Sequence, residues 1–71
     1  MPKAEIRNQL RRLRFEHGEM TQQALADKAG CTRQTIILLE QERYVPSLAL
    51  ALRIARVFKT PVEEMFELAD D

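Results

Sequence analysis

Four polar residues that commonly begin helices divide this chain into short segments, and they limit its fold more than any other feature. Thr21, Thr32, Ser47 and Thr60 each stand directly before a stretch of helix-forming residues. A side-chain oxygen at such a position can accept a hydrogen bond from a free backbone amide. Apolar residues recur at helical spacing, whereas no stretch alternates over the length of a strand. The chain is therefore predicted to be all-α.

The caps and the apolar spacing together predict five helices. In the first, Ile6, Leu10 and Leu13 recur on one face, and Gly18 ends the helix. The predicted helices cover residues 4–16, 22–29, 33 to about 41, 48–58 and 61 to about 67.

The turns between these helices carry clear local signals. Gly30 can take the positive φ of a tight turn between the second and third helices. The tetrapeptide 60–63, Thr-Pro-Val-Glu, has the spacing of a capping box with proline at the first helical position. Residues 66–68 are also compatible with a short extended segment in a small edge contact. Because no linker interrupts the pattern, one domain over residues 1–71 is expected.

Length and composition exclude several classes of protein. A chain of 71 residues buries only about 60% of its unfolded surface, so oligomerisation is expected. One Cys, one His and one Ser supply neither a metal-ligand set nor a hydrolytic constellation, so no metal, cofactor or enzymatic activity is predicted. No apolar run reaches about 18 residues and the N-terminus has no apolar signal core, so we expect a cytoplasmic protein without a membrane span.

Net charge gives no support for nucleic-acid binding. The 11 basic and 11 acidic residues balance, whereas nucleic-acid binding usually goes with a positive excess. The distribution is uneven, because residues 1–45 hold eight basic and six acidic residues and residues 46–71 hold three and five. A basic face is thus compatible with the sequence but is not predicted by charge alone.

The third helix has an unusual outer face. Helical geometry places Ile36 and Leu39 toward the core and leaves the rest of the helix facing away. Arginine and glutamine bind guanine and adenine edges, and apolar side chains pack on thymine methyl groups. The face is therefore typical of a DNA-reading surface, although a solvated face with two stray apolar residues is the alternative. Its members are Arg33, Gln34, Ile37, Leu38 and Gln41.

The segment MTQQALADKAGCTRQTI, residues 20–36, resembles the helix-turn-helix of the Cro/C1-type (Xre-like) phage and bacterial repressors. The likeness continues through residues 39–40, 44–48, 55–58 and 61–66, and so covers nearly the whole chain. It implies a five-helix, lambda-repressor-like domain with its motif at about 21–42. The expected function is transcription regulation, most simply repression by a homodimer on a palindromic operator in double-stranded DNA.

The resemblance also implies roles for individual residues. Those expected to face bases are Arg33, Gln34 and Leu38, with Ile37 at the rim. Gln22 would bind a phosphate and brace the reading residues, and the other expected phosphate contacts are Thr32, Thr35, Arg43 and Tyr44. Three alternatives stay open: Gln22 is ordinary surface, Thr32 is only a cap, or Tyr44 packs on its loop.

Two further positions follow from the same family pattern. Arg14 is expected to pair with Glu40 and so to fix the angle of the reading helix, an interaction that matters most if it is buried. Glu42 stands where the family often has glycine. It would be strained by about 1–2 kcal/mol in the left-handed conformation, unless the third helix runs slightly longer.

The fourth helix carries two apolar stripes, one more than a small domain needs. Taking Leu48, Ala51, Leu52, Ala55 and Phe58 as the core face leaves a second stripe without a partner. That surplus stripe and the apolar tail are predicted to form the homodimer surface, although the tail could instead fold over the stripe within one subunit. The predicted dimer residues are Leu50, Ile54, Val57, Met65, Phe66 and Leu68.

Other partners and chemistry remain open at this stage. The same fold could serve as a protein-interaction adaptor, or as an antitoxin-type regulator that binds both DNA and a protein not identified by the sequence. Cys31, in the turn of the motif, is interpreted as a small buried thiol, with a redox switch as the alternative.

Overall fold

The structure is a computed structural model that describes residues 5–69. Its elements are β1 (Ile6–Asn8), α1 (Leu10–Glu16), α2 (Gln22–Ala29), α3 (Arg33–Glu40), α4 (Leu48–Phe58), α5 (Val62–Met65) and β2 (Phe66–Leu68). Five helices and the helix-turn-helix arrangement are thus confirmed, with one small two-stranded sheet added. Within residues 5–69, no helix is both long and apolar enough to cross a membrane.

Three of the predicted helix caps form as expected. The side chains of Thr21, Thr32 and Ser47 accept hydrogen bonds from the backbone amides of Ala24, Thr35 and Leu50. Each bond satisfies an amide that has no partner inside its own helix. The starts of α2, α3 and α4 are therefore fixed by local interactions.

The prediction that the first helix starts at residue 4 is wrong for its first turns. Residues 6–8 form β1, which pairs antiparallel with β2 so that Ile6 lies opposite Leu68 and Asn8 lies opposite Phe66. The side-chain oxygen of Asn8 then accepts the amide of Leu10 at 3.1 Å, where α1 begins. The predicted extended segment at residues 66–68 is present as β2. Its pairing with residues 6–8 keeps those residues out of α1, which begins at Leu10.

The predicted capping box at the fifth helix does not form. Pro61 occupies the cap position without a side-chain cap bond, and the hydroxyl of Thr60 instead donates to the carbonyl of Phe58 at 3.0 Å. The helix is also shorter than predicted, since it ends at Met65 where β2 begins. Lys59 adopts a left-handed φ of 52°, so the preceding turn, and not a capping box, sets the entry to α5.

The core face predicted for the fourth helix is correct at Ala51 and Phe58 but wrong at its two leucines. Leu50 and Ile54 lie in the core with exposed fractions of 4% and 0%, whereas Leu48 and Leu52 are exposed by 73% and 49%. Met65, which was assigned with them to a dimer surface, is also buried. These three buried residues cannot meet a second copy while the domain is folded. Two apolar stripes of similar strength left the choice of inner face to tertiary packing.

The core is built from one contiguous cluster contributed by all five helices. Of the three other residues predicted for the dimer surface, Val57 and Phe66 are half-buried against this cluster and Leu68 is exposed. The buried members are Leu10, Leu13, Leu25, Ala26, Ala29, Ile36, Leu39, Leu50, Ile54, Phe58 and Met65. This cluster holds α3 by its inner face, so the opposite face is presented outward.

Candidate nucleic-acid interface

A left-handed glycine sets the angle between α2 and α3. Gly30 ends α2 with φ 74° and ψ 38°, and the amide of Cys31 donates to the carbonyl of Ala26 at 3.0 Å. A residue with a Cβ is strained at such a φ. The turn is short and closed by its own hydrogen bonds, so α3 starts at a fixed position relative to α2.

The α3 helix presents the side chains that the sequence assigned to base reading. Ile36 and Leu39 are fully buried, while Arg33 and Gln34 are exposed and Ile37 and Leu38 are half-buried. The four outward residues therefore share one accessible face of the helix. This face combines two flexible polar side chains, of a type that hydrogen-bonds base edges, with two apolar ones, of a type that packs on thymine methyl groups.

An ion pair joins the first helix to the end of α3. Arg14 Nε lies 2.6 Å from Glu40 Oε2, and Arg14 Nη2 lies 2.9 Å from Glu40 Oε1. The third guanidinium nitrogen, Nη1, donates to the carbonyl of Met20 at 2.8 Å. The exposed fractions of the two side chains are 16% and 8%. The predicted Arg14–Glu40 contact is thus a bidentate and mostly buried pair.

Gln22 completes this network from the start of α2. Its side-chain amide donates to Glu40 Oε1 at 3.1 Å, so a bracing contact exists. Gln22 also lines a shallow depression together with Arg14, Thr21 and Arg33. The N-terminus of α2, with its free amides and partial positive charge, therefore lies beside the first residue of the outward face.

The other residues assigned to phosphate binding lie at both ends of α3. Thr32 Oγ1 accepts the amide of Thr35 and lies 3.0 Å from the Thr35 hydroxyl, so it is engaged as a cap. Arg43 and Tyr44 follow the helix in an exposed loop, with Tyr44 exposed by 41%. The helix is thereby flanked by polar groups at its start and by a cation and a phenol at its end.

The end of α3 keeps the left-handed geometry that usually requires glycine. Glu42 has φ 61°. Its amide donates to the carbonyl of Leu39, and the amide of Arg43 donates to that of Leu38, which is the Schellman pattern. The alternative of a longer third helix is therefore wrong.

Asn8 is a functional support that the sequence reasoning missed. Its side-chain amide donates to the carbonyl of Leu39 at 2.6 Å, and its backbone amide lies 3.4 Å from Glu42 Oε2. These contacts attach β1 to the end of α3. The available signal was an asparagine two residues before a helical leucine, which favours a helix start there over a helix interior.

Cys31 behaves as a packing residue in the turn. Burial raises the pKa of its thiol, and the positive charge of Arg53 opposes this effect only in part. A raised pKa keeps the thiol protonated at neutral pH, whereas redox-sensing cysteines depend on the thiolate. The environment therefore favours the structural interpretation.

Comparison with known proteins agrees with this geometry. A family model described as helix-turn-helix matches residues 10–65, which span all five helices. The chain belongs to this helix-turn-helix family. The resemblance to Cro/C1-type regulators is thereby confirmed.

Similar proteins occur in archaea and bacteria. An HTH-type transcriptional regulator of Archaeoglobus fulgidus is 46% identical over 66 residues, covering 93% of each chain. One from Methanothermobacter thermautotrophicus is 49% identical over 67 residues, covering 93% of this chain and 96% of its own. The Bacillus subtilis regulator YgzD is 38% identical over 66 residues, covering 93% and 98%. The helix-turn-helix chain thus spans nearly the full length of these relatives.

A solved structure shares the fold at low sequence identity. A crystal structure of a candidate DNA-binding protein from Bacteroides fragilis superposes with a TM-score of 0.73. It is 18% identical and the match covers 87% of this chain and 98% of that one. At this identity the likeness establishes the arrangement of helices and strands and nothing about individual side chains.

The buried ion pair gives a first prediction. Replacing Glu40 by Ala leaves the Arg14 guanidinium mostly buried without its partner, so the free energy of unfolding should fall by about 3–5 kcal/mol. The double variant R14A/E40A should lose less than the sum of the two single variants. Urea denaturation measures both quantities.

The exposed Arg12–Glu16 pair on α1 provides the control. Its atoms are 3.6 Å apart and its side chains are exposed by 61% and 54%, so E16A should cost less than about 1 kcal/mol. If E40A and E16A destabilise the domain equally, the Arg14–Glu40 pair does not hold α3 in place.

The left-handed Glu42 gives a second prediction. Glu42→Gly should have a free energy of unfolding about 1 kcal/mol higher than that of Glu42→Ala, because both variants lose the carboxylate that contacts the Asn8 amide and glycine alone tolerates this φ without the Cβ clash. Glu42→Ala removes the same carboxylate but keeps the Cβ, so it should be less stable than the glycine variant. Equal stability of the two variants in urea would show that no strain is stored at this position.

Proposed function

We propose that this chain is a transcription repressor that binds a palindromic operator as a homodimer, with α3 in the major groove. The observation that carries the proposal is the outward face of α3, which holds Arg33 and Gln34 exposed on a helix fixed by the Arg14–Glu40 pair. Because this pair already holds α3 in place, the helix loses little conformational entropy when DNA binds. In this proposal the protein acts in the cytoplasm by binding DNA, and it catalyses no reaction.

In the proposed interface, different residues contact the bases and the phosphates. Arg33, Gln34 and Leu38 read base edges, with Ile37 at the rim of the contact. The backbone amides at the start of α2 and the side-chain amide of Gln22 donate hydrogen bonds to one phosphate, and they lie beside Arg33 in the same depression. Phosphate contacts fix the register of the protein but carry no sequence information. The other proposed phosphate contacts are Thr32, Thr35, Arg43 and Tyr44.

A revised surface supports the proposed homodimer. With Leu50, Ile54 and Met65 in the core, the exposed apolar side chains on α4 and in the loop before it include Val45, Leu48 and Leu52. Val45, Leu48 and Phe66 line one apolar groove, and Val62 lines both this groove and the adjoining depression that contains Leu52. Leu68, which the sequence predicts for the dimer surface, lies nearby on β2 and is exposed by 65%.

The dimensions of the domain suit this arrangement. The described residues span 31 × 23 × 22 Å between Cα atoms, so two touching copies can hold their α3 helices at a separation of this order. Reading helices in a palindrome must lie about 34 Å apart, one turn of DNA. An apolar patch of this kind on a small domain also gives it a means of burying more surface than one copy can.

Selection of bound sites from random duplexes tests base reading. The wild type should select inverted half-sites, and Gln34→Ala should relax the preference at one position of each half-site, costing about 1–3 kcal/mol of discrimination. Arg43→Ala should weaken specific and random duplexes alike and reduce the slope of log affinity against log salt by about 1. Gel shifts at several salt concentrations measure both effects.

Two outcomes would refute parts of the proposal. Equal losses on selected and random DNA for Gln34→Ala would remove its base-reading role. A reporter whose promoter overlaps the selected site should lose expression when the protein is present, whereas increased expression would indicate activation.

The dimer surface gives a separate prediction. Leu48→Lys should weaken self-association at least tenfold, because burial of a leucine side chain contributes about 1.5–3 kcal/mol. Phe15→Lys is the matched control, since Phe15 is exposed by 69% on α1, away from this groove. Sedimentation equilibrium measures both variants. A wild type that stays monomeric, or equal effects of the two substitutions, would rule out this surface.

A further inference from the structure

A cleft between α2 and α4 gathers three cations that the DNA-binding proposal does not use. It has a volume of about 460 Å³ and is lined by Met20, Lys28, Arg53, Arg56 and Val57. Lys28 lies in the last turn of α2, at the opposite end of that helix from Gln22. The cleft shares no lining residue with the depression that contains the N-terminus of α2.

Within the part of the chain that the structure describes, no acidic side chain forms a salt bridge with the cations of this cleft. Among residues 5–69, the ion pairs use Arg7, Arg12 and Arg14, and none uses a cation of the cleft. The whole chain has no net charge, so the cluster does not result from a general excess of basic residues. Like charges brought together without a counter-charge repel one another, and a bound anion would relieve that repulsion.

The position of Arg53 is fixed by the backbone. Its Nε donates to the carbonyl of Ala29 at 2.7 Å, and a Cβ added at Gly30 would lie 3.6 Å from the same atom. This bond occupies one guanidinium nitrogen, which leaves the two terminal nitrogens for a ligand. A guanidinium held in this way can bind phosphate oxygens in a bidentate manner.

The cleft also has an apolar side. Met20 and Val57 are half-buried against the core and face the cleft. Cations beside an apolar wall suit a ligand that has both a phosphate group and a less polar portion.

We propose that this cleft binds a phosphorylated small molecule with a diphosphate group, held by Lys28, Arg53 and Arg56. The less polar portion of the ligand packs on Met20 and Val57. Because Arg53 also holds the last carbonyl of α2, the ligand contacts the side chain that supports the turn into α3. This inference is independent of the proposed operator binding.

Calorimetry with ADP and with inorganic pyrophosphate tests the proposal. The wild type should bind both probes at low salt, and ADP more tightly because it reaches the apolar wall. The double variant K28Q/R56Q should bind ADP at least tenfold more weakly. It leaves the structural bond of Arg53 intact, and its fold is checked by its urea transition.

The control variant is R11Q/R12Q on α1, which changes the net charge by the same amount outside the cleft. Its affinity for ADP should stay within twofold of the wild type. The proposal fails if the wild type binds neither probe, or if both double variants lose affinity equally. It also fails if K28Q/R56Q weakens binding to duplex DNA as much as binding to ADP, since the cleft would then hold a phosphate of the duplex.

Discussion

The buried pair between Arg14 and Glu40 is the interaction on which the geometry of this domain depends. The guanidinium uses one edge for the Glu40 carboxylate and another nitrogen for the carbonyl of Met20, while Gln22 reaches the same carboxylate from α2. Three helices and the loop before α2 therefore meet at one charged group. Such a pair is more valuable for orientation than for net stability, because desolvation offsets much of its Coulomb attraction.

A second set of contacts fixes the far end of the same region. Asn8 connects β1 to the carbonyl of Leu39, and the left-handed Glu42 closes the last turn of α3. The small sheet therefore has a structural role, because the Asn8 contact restrains tilting and fraying at the C-terminal end of α3. Polar contacts at the end of α3 combine with apolar burial along its inner face, so the helix moves with the body of the domain.

Local features of the sequence predicted much of the fold, whereas features that depend on distant partners were missed. Capping at Thr32 and the turn at Gly30 involve neighbouring residues, so the sequence shows them directly. The strand at residues 6–8 depends on pairing with residues 66–68 across the chain, which no local pattern reveals. In α4 two apolar stripes competed, and only packing against α2 and α5 decided that Ile54 lies inside. The outward face of α3 was predictable because Ile36 and Leu39 lie on one side of the helix, while Arg33 and Gln34 lie on the other.

The pairing of β1 with β2 brings the two ends of the described chain side by side. The amide of Ala69 donates to the carbonyl of Glu5 at 2.7 Å, so the backbone nearly closes into a ring. A short peptide joining these positions would leave the sheet intact, and new termini could then be opened in the exposed loop between α3 and α4. The same arrangement of helices can therefore be kept when the chain starts at a different helix. This makes the domain suitable for circular permutation.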